Sequence, residues 1–148
     1  MEETPPFAGR DRSLTMETWA PAITAITLFV EDLAASKAFY TDVFQLPVHY
    51  EDPHSVVFRV GSTLVNLLSV AEAPGLVAPA RAGTSDSDAR AVLTITVDDV
   101  DAVAAGVVSR GAVLLNGPVN RPWGVRTASF RDPAGHIWEI AGEPTAAG

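Results

Sequence analysis

Glu139 is the side chain in this sequence best placed to do chemistry. It is next to last in the stretch Arg131-Asp-Pro-Ala-Gly-His-Ile-Trp-Glu-Ile140, in which Asp132-Pro-Ala-Gly135 has the residues of a tight turn. Pro presets φ, Asp can accept from its own backbone, and Gly tolerates positive φ. Successive side chains of a strand point to opposite faces, so Glu139 faces away from whatever Trp138 and Ile140 pack against. A carboxylate on a sheltered sheet face can ligate a cation, serve as a general base, or act as a structural acceptor for Thr27, Thr94 or Arg126.

A second stretch with unusual chemistry is Arg121-Pro-Trp-Gly-Val125. Trp123 lies outside any periodic core pattern, so it either stacks on a planar ligand or covers the core of its own subunit. Arg121 beside it can pair with an anion or stack. The three histidines offer less. His136 adjoins a turn and reads as a solvent-exposed turn residue. His49 and His54 flank Glu51-Asp52-Pro53, where His49-x-Glu51 could chelate a metal, but an exposed edge hairpin accounts for both. No glycine-rich phosphate loop is present, and no Ser has a partner base.

The elements that must position these residues are legible as periodicities. Ile23 to Val30 alternates like a strand, with Ile26, Leu28 and Val30 on one face. Asp32 stands at a helix N-cap position, and Ala35, Phe39 and Val43 recur at helical spacing from Leu33 to Phe44. Strands are expected near Pro47–Glu51, Ser55–Val60 and Thr63–Val70. About twenty residues, Ala71 to Arg90, show no period, which suits a linker or a functional cover. The pattern then restarts: Leu93-Thr-Ile-Thr-Val-Asp-Asp-Val repeats Ile26-Thr-Leu-Phe-Val-Glu-Asp-Leu at an offset of 67 residues. A helix with Val100, Val103, Ala104 and Val107 inward follows, ended by Gly111. Strands near Ala112–Asn116, Val125–Arg131 and His136–Ala141 complete the copy, with Asn116-Gly-Pro118 expected as a turn.

The chain therefore carries a duplicated βαβββ unit and an α+β fold. Each sheet has one aliphatic face for its helix. The opposite parity holds Ala25, Thr27, Asn66, Val92, Thr94 and Glu139. The expected organisation is a leader over residues 1–20, modules over 21–70 and 91–143 joined by 71–90, and a tail over 144–148. Met16 is an alternative start to Met1. The net charge of −8 and the lack of any Lys/Arg cluster argue against nucleic acid. The longest apolar run, Ala20 to Val30, is too short to cross a membrane. Cysteine is absent, which excludes disulfides and thiolate metal sites. Cytoplasm is the expected compartment.

The duplicated units, the Val-x-Asp-[Leu/Val] junctions, Phe39-Tyr40 with Phe44-Gln-Leu46, and Asp-Pro-x-Gly-His-x-Trp-Glu together resemble the vicinal oxygen chelate superfamily over residues 22–143. That group includes glyoxalases, extradiol dioxygenases, fosfomycin-modifying transferases and bleomycin-type drug-binding proteins. The resemblance implies two tandem βαβββ modules forming a curved mixed sheet cup, with helices on the outer face. It also implies a homodimer whose cavities lie where units of two chains meet. Its enzymes hold a divalent metal at positions corresponding here to Ala25, Asn66, Val92 and Glu139. Only Glu139 is a good ligand among these, so no metal or other cofactor is expected and no catalytic residue is assigned.

The resemblance thus points to a protein that sequesters a small aromatic or apolar antibiotic or metabolite without chemistry. The candidate ligand-binding residues are Trp123, Arg121, Glu139, Asn66, Phe58, Tyr50, Phe29, Thr27 and Thr94. The alternatives are a glyoxalase-like lyase or isomerase, or an extradiol-type dioxygenase, with one divalent metal, and a metal-independent enzyme using Glu139 as general base.

Overall fold

Two acids start the two long helices. Asp32 Oδ1 accepts from the Ala35 N–H at 3.0 Å, and Asp99 Oδ1 accepts from the Ala102 N–H at 3.0 Å. Each satisfies a backbone donor that the first helical turn leaves without a partner. The computed structural model describes residues 18–146. Its first half runs β1 (Ala25–Val30), α1 (Leu33–Asp42), β2 (Val48–Asp52), β3 (Ser55–Val60) and β4 (Thr63–Ser69). A 3-10 turn (Val70–Glu72) and the one-turn helix α2 (Pro74–Val77) follow. The second half is β5 (Val92–Thr96), α3 (Val100–Ser109), β6 (Leu114–Asn120), β7 (Arg126–Arg131) and β8 (Ile137–Gly142). The first 17 residues, with most of the expected leader and the alternative start at Met16, lie outside the described residues.

The halves form two mixed sheets of identical topology, β1-β4-β3-β2 and β5-β8-β7-β6. In each, the opening strand lies parallel to the closing strand, and the other pairs are antiparallel. Helix α3 buries Val100, Ala104 and Val107, one face at helical spacing. It ends in a turn where the Ala112 N–H bonds the Val107 carbonyl, with Gly111 at φ +116°.

Helix α1 joins the two sheets. Tyr40 stacks on Phe58 of its own sheet, with centroids 5.6 Å apart. Phe44 meets Trp138 edge-on at 5.0 Å, and Phe39 reaches Phe130 at 6.2 Å, both in the second sheet. The result is one hydrophobic core spanning both modules. Through it runs a buried chain of hydrogen bonds. Trp138 Nε1–H donates to the Tyr40 hydroxyl (2.8 Å), which donates to Asp132 Oδ2 (2.7 Å). The other Asp132 oxygen accepts from the Ala134 and His136 N–H groups. Asp132 thus holds its own turn and ties it to the first module.

Three expectations need correction. The first strand begins at Ala25 rather than Ile23, which is exposed. The segment 71–90 contains the 3-10 turn and α2, because Pro74 at the start of a helix costs no hydrogen bond there. Asn116-Gly-Pro118 does not turn but lies inside β6, which is bulged between Leu114 and Val119. Gly117 makes this possible: its φ is +81°, and a Cβ there would collide with the Thr127 carbonyl and Ala128 Cα of β7.

Replacing Tyr40 by Phe should cost about 1–3 kcal/mol in urea unfolding, because it leaves Trp138 Nε1–H and Asp132 Oδ2 buried without a partner. Burial first, and then the Asp132 charge, push the Tyr40 hydroxyl far above the ordinary tyrosine range. Past that range the unfolded chain gives up this proton while the native state keeps it. Stability present at neutral pH should therefore fall as pH rises above about 10, by up to about 1.4 kcal/mol per unit, and Y40F should lack that contribution.

Candidate functional site

Register places the polar residues of each module side by side on the face turned away from the helices. Thr27 pairs with Asn66 across β1 and β4, and Thr94 pairs with Glu139 across β5 and β8. In the first module Asn66 Nδ2 donates to Thr27 Oγ1 at 3.3 Å. In the second, Thr94 Oγ1 donates to Glu139 Oε1 at 2.9 Å. The duplication has thus kept a threonine on each opening strand, bonded to the polar residue of each closing strand. Asn66 Oδ1 is buried and, among the described residues, has no hydrogen-bond partner. Ser129 of β7 pairs with Glu139 and extends the polar strip.

Arg121 and Trp123 stand at the end of the same face. The 121–125 turn is closed by Arg121 N–H to the Val125 carbonyl (2.7 Å) and Gly124 N–H to the Arg121 carbonyl (3.1 Å). The Arg121 guanidinium donates through Nε to Thr127 Oγ1 (2.8 Å) and through Nη2 to Asn116 Oδ1 (2.7 Å). Thr127 lies two residues from Ser129, on the same side of β7. The guanidinium carbon is 5.9 Å from the Trp123 ring centre, close enough for a cation–π contact. Trp123 is 70% exposed, so it covers no core of its own subunit. Its ring is backed by Arg121 and is largely exposed.

Not every sequence candidate reaches this face. Phe58 is fully buried in the core against Tyr40, because its strand turns Val57, not Phe58, toward Asn66. It is corrected from ligand contact to core. Trp138 is core as well. Tyr50 pairs with Val57 and shares the Asn66 face, though at an outer strand. Its hydroxyl donates to Asp52 at 3.2 Å, which raises its pKa. His136 is not a free turn residue: Nε2 hydrogen-bonds the Phe29 carbonyl oxygen at 2.8 Å and ties β8 to β1. His49 and His54 are exposed, and Glu51 is engaged by Lys37 at 2.9 Å, so His49-x-Glu51 is not a preformed chelate.

At the four positions where the resembling enzymes hold a metal, the donor set does not fit a divalent cation. Ala25 and Val92 carry no donor atom, Asn66 offers an amide oxygen, and Glu139 alone is a carboxylate. Among the described residues, no three His, Asp or Glu side chains are grouped as a metal site requires. Glu139 and its threonine can accept a hydrogen bond or a proton, Asn66 can orient a polar group, and Trp123 can stack. Sequence reasoning missed a groove of about 560 Å³ between β1 and the start of β8, bounded by residues from the 81–91 loop. Of the candidates, only Thr27 and Phe29 line it. The unperiodic length of that loop was its one sequence signal.

The model of the Glyoxalase/Bleomycin resistance protein/Dioxygenase superfamily matches residues 22–140. The chain belongs to that superfamily. It is 32% identical over 121 residues to the Bacillus subtilis (strain 168) protein YraH, described as uncharacterized, covering 78% of this chain and 93% of that one. A glyoxalase-related enzyme from Fulvimarina pelagi superposes with TM-score 0.72 at 28% identity, covering 84% of this chain and 89% of the other. TnmS3, an antibiotic binding protein from Streptomyces sp. CB03234, has the same fold, with TM-score 0.66 at 23% identity, covering 86% of this chain and all of the other. Members of one fold thus include an enzyme and a binder, and the side chains on the open face must decide between them. Among the described residues, no helix is long and apolar enough to cross a membrane.

Because Trp123 is exposed, Trp123→Phe should change unfolding free energy by no more than about 0.5 kcal/mol. It should also diminish, without abolishing, the long-wavelength component of tryptophan emission, because Trp19 is exposed as well and Trp138 alone is buried.

Proposed function

We propose that this protein is a cytoplasmic, homodimeric binder that sequesters a small aromatic or apolar molecule, of antibiotic or metabolite type, without transforming it. The observation that carries the reading is the donor set of the open face: one carboxylate, Glu139, where the metal-dependent relatives need several ligands. The same face offers what binding needs, a rigid exposed ring at Trp123 and a few polar groups for orientation. The antibiotic-binding neighbour supports the class of guest, and the exposure of Val92 and Tyr50 on the open faces supports cover by a second copy. Thr27, Thr94, Asn66 and Glu139 orient the guest; Arg121, Trp123, Tyr50 and Phe29 supply planar contact.

In a screen of aromatic natural products, Trp123→Ala should weaken the best ligand by about 1–3 kcal/mol, read by fluorescence titration. An unchanged affinity would remove Trp123 from the site. Sedimentation should report a dimer.

The second reading is an enzyme with Glu139 as general base. It is favoured by the Thr94 bond, which orients one carboxylate oxygen and leaves the other available. Glu139→Gln separates the two: in a binder it alters affinity alone, whereas in an enzyme it abolishes turnover while sparing binding. Stoichiometric Zn, Ni, Mn or Fe in protein purified without chelator would overturn the proposal.

A further inference from the structure

The groove beside β1 is a seam between the modules rather than part of either open face. The Leu64 N–H donates to the Thr24 carbonyl while Ala25 pairs with Leu64. In a parallel ladder this commits the even residues of β1 to β4 and turns the backbone groups of Ala25, Thr27 and Phe29 to the outer edge. His136 takes the Phe29 carbonyl oxygen. The edge amide and carbonyl of Thr27 are left facing the groove, in which Ile26, Leu28, Leu93 and Ile137 supply apolar walls.

The roof is held in place. The Ser85 N–H donates to a Glu31 carboxylate oxygen at 2.8 Å, and the Thr84 N–H donates to Ser87 Oγ at 2.8 Å. Gly135, at φ +92°, lies so close under Ser85 that a Cβ there would come within 2.8 Å of the Ser85 carbonyl oxygen. The roof carries Arg81 and Arg90, which both line the groove. Lys37, Arg110, Arg121 and Arg126 are each bonded to protein acceptors. Among the described residues Arg81 and Arg90 have no hydrogen-bond or ion-pair partner. The carboxylate lining the groove with them is Asp88 alone, since Glu31 is turned to Ser85. In a chain of net charge −8, two unengaged guanidiniums over an apolar trough are a local reversal of sign.

We infer that this groove is a second ligand site, taking an amphipathic anion whose apolar body lies against Leu28, Leu93 and Ile137 and whose head is held by Arg81 and Arg90. Guanidinium forks suit a carboxylate or a phosphate monoester equally, and the volume falls within the range of small-molecule sites. Of the residues proposed for the Trp123-face ligand, this site shares only Thr27 and Phe29, and its test uses different probes and varies neither of them.

Octanoate, octyl phosphate and octanol are the probes, titrated by calorimetry into the full chain. At least one anion should bind about tenfold or more tightly than octanol, the gap given by charge-assisted hydrogen bonds. Binding of one anion and not the other identifies the head group. The double variant R81Q/R90Q should bring the anion down to the affinity of octanol. Ala91→Trp, at an exposed position lining the groove, should fill it and abolish binding of all three. Circular dichroism and urea unfolding should match wild type for both variants, because these side chains are exposed. Octanol binding as tightly as the anions, R81Q/R90Q leaving the anion affinity unchanged, or no binding of either anion would each overturn the inference.

Discussion

The architecture depends on one buried hydrogen-bonded chain, Trp138 to Tyr40 to Asp132. Its three members come from β8, α1 and the turn between β7 and β8. Buried polar groups must find partners, and here each supplies the next, so the modules can close on one another only in the arrangement that completes the chain. Asp132 has the further task of holding the Ala134 and His136 amides, so the turn that aims β8 is set by the contact that joins the modules. With β8 aimed in this way, Trp138 enters the common core and Glu139 is left on the opposite face.

Duplication explains both the symmetry of the chain and its departures from symmetry. Asp32 and Asp99 cap equivalent helices, and Thr27 and Thr94 bond equivalent closing-strand residues. The departures fall on both faces: Asn66 answers Glu139 on the open side, and in the core Trp138 of β8 stands opposite Leu93 where Val65 of β4 stands opposite Ile26. Core positions are constrained by packing in both copies, whereas open-face positions are constrained only by what they bind. The open faces keep Thr27 and Thr94, carry apolar Ala25 and Val92 at equivalent places, and differ in one donor, Asn66 against Glu139.

The seam shows how much a duplicated fold leaves to its connection. Each sheet ends in an opening strand with a free edge, and such edges need cover. Residues 81–91 provide it for β1, held by Ser85 against Glu31 and Gly135. A connection chosen to cover an edge without filling it leaves a trough, and its side chains then set the chemistry of that trough.

Local chemistry made much of this legible in the sequence. Alternation separated Trp138 from Glu139, Asx capping placed the helix starts, and the repeat at 67 residues exposed the duplication, because each depends on residues a few positions apart. The outward parity of Thr27, Asn66, Thr94 and Glu139 followed from the same rule. What depends on distant partners was not legible. Phe58 had to be placed by strand register against Asn66, His136 by a carbonyl 107 residues away, and Asn116-Gly-Pro118 by the β7 backbone that Gly117 approaches. The groove arises from the docking of one module on the other under a long loop. Periodicity records which way a side chain points along its own element; only tertiary packing decides what stands opposite it.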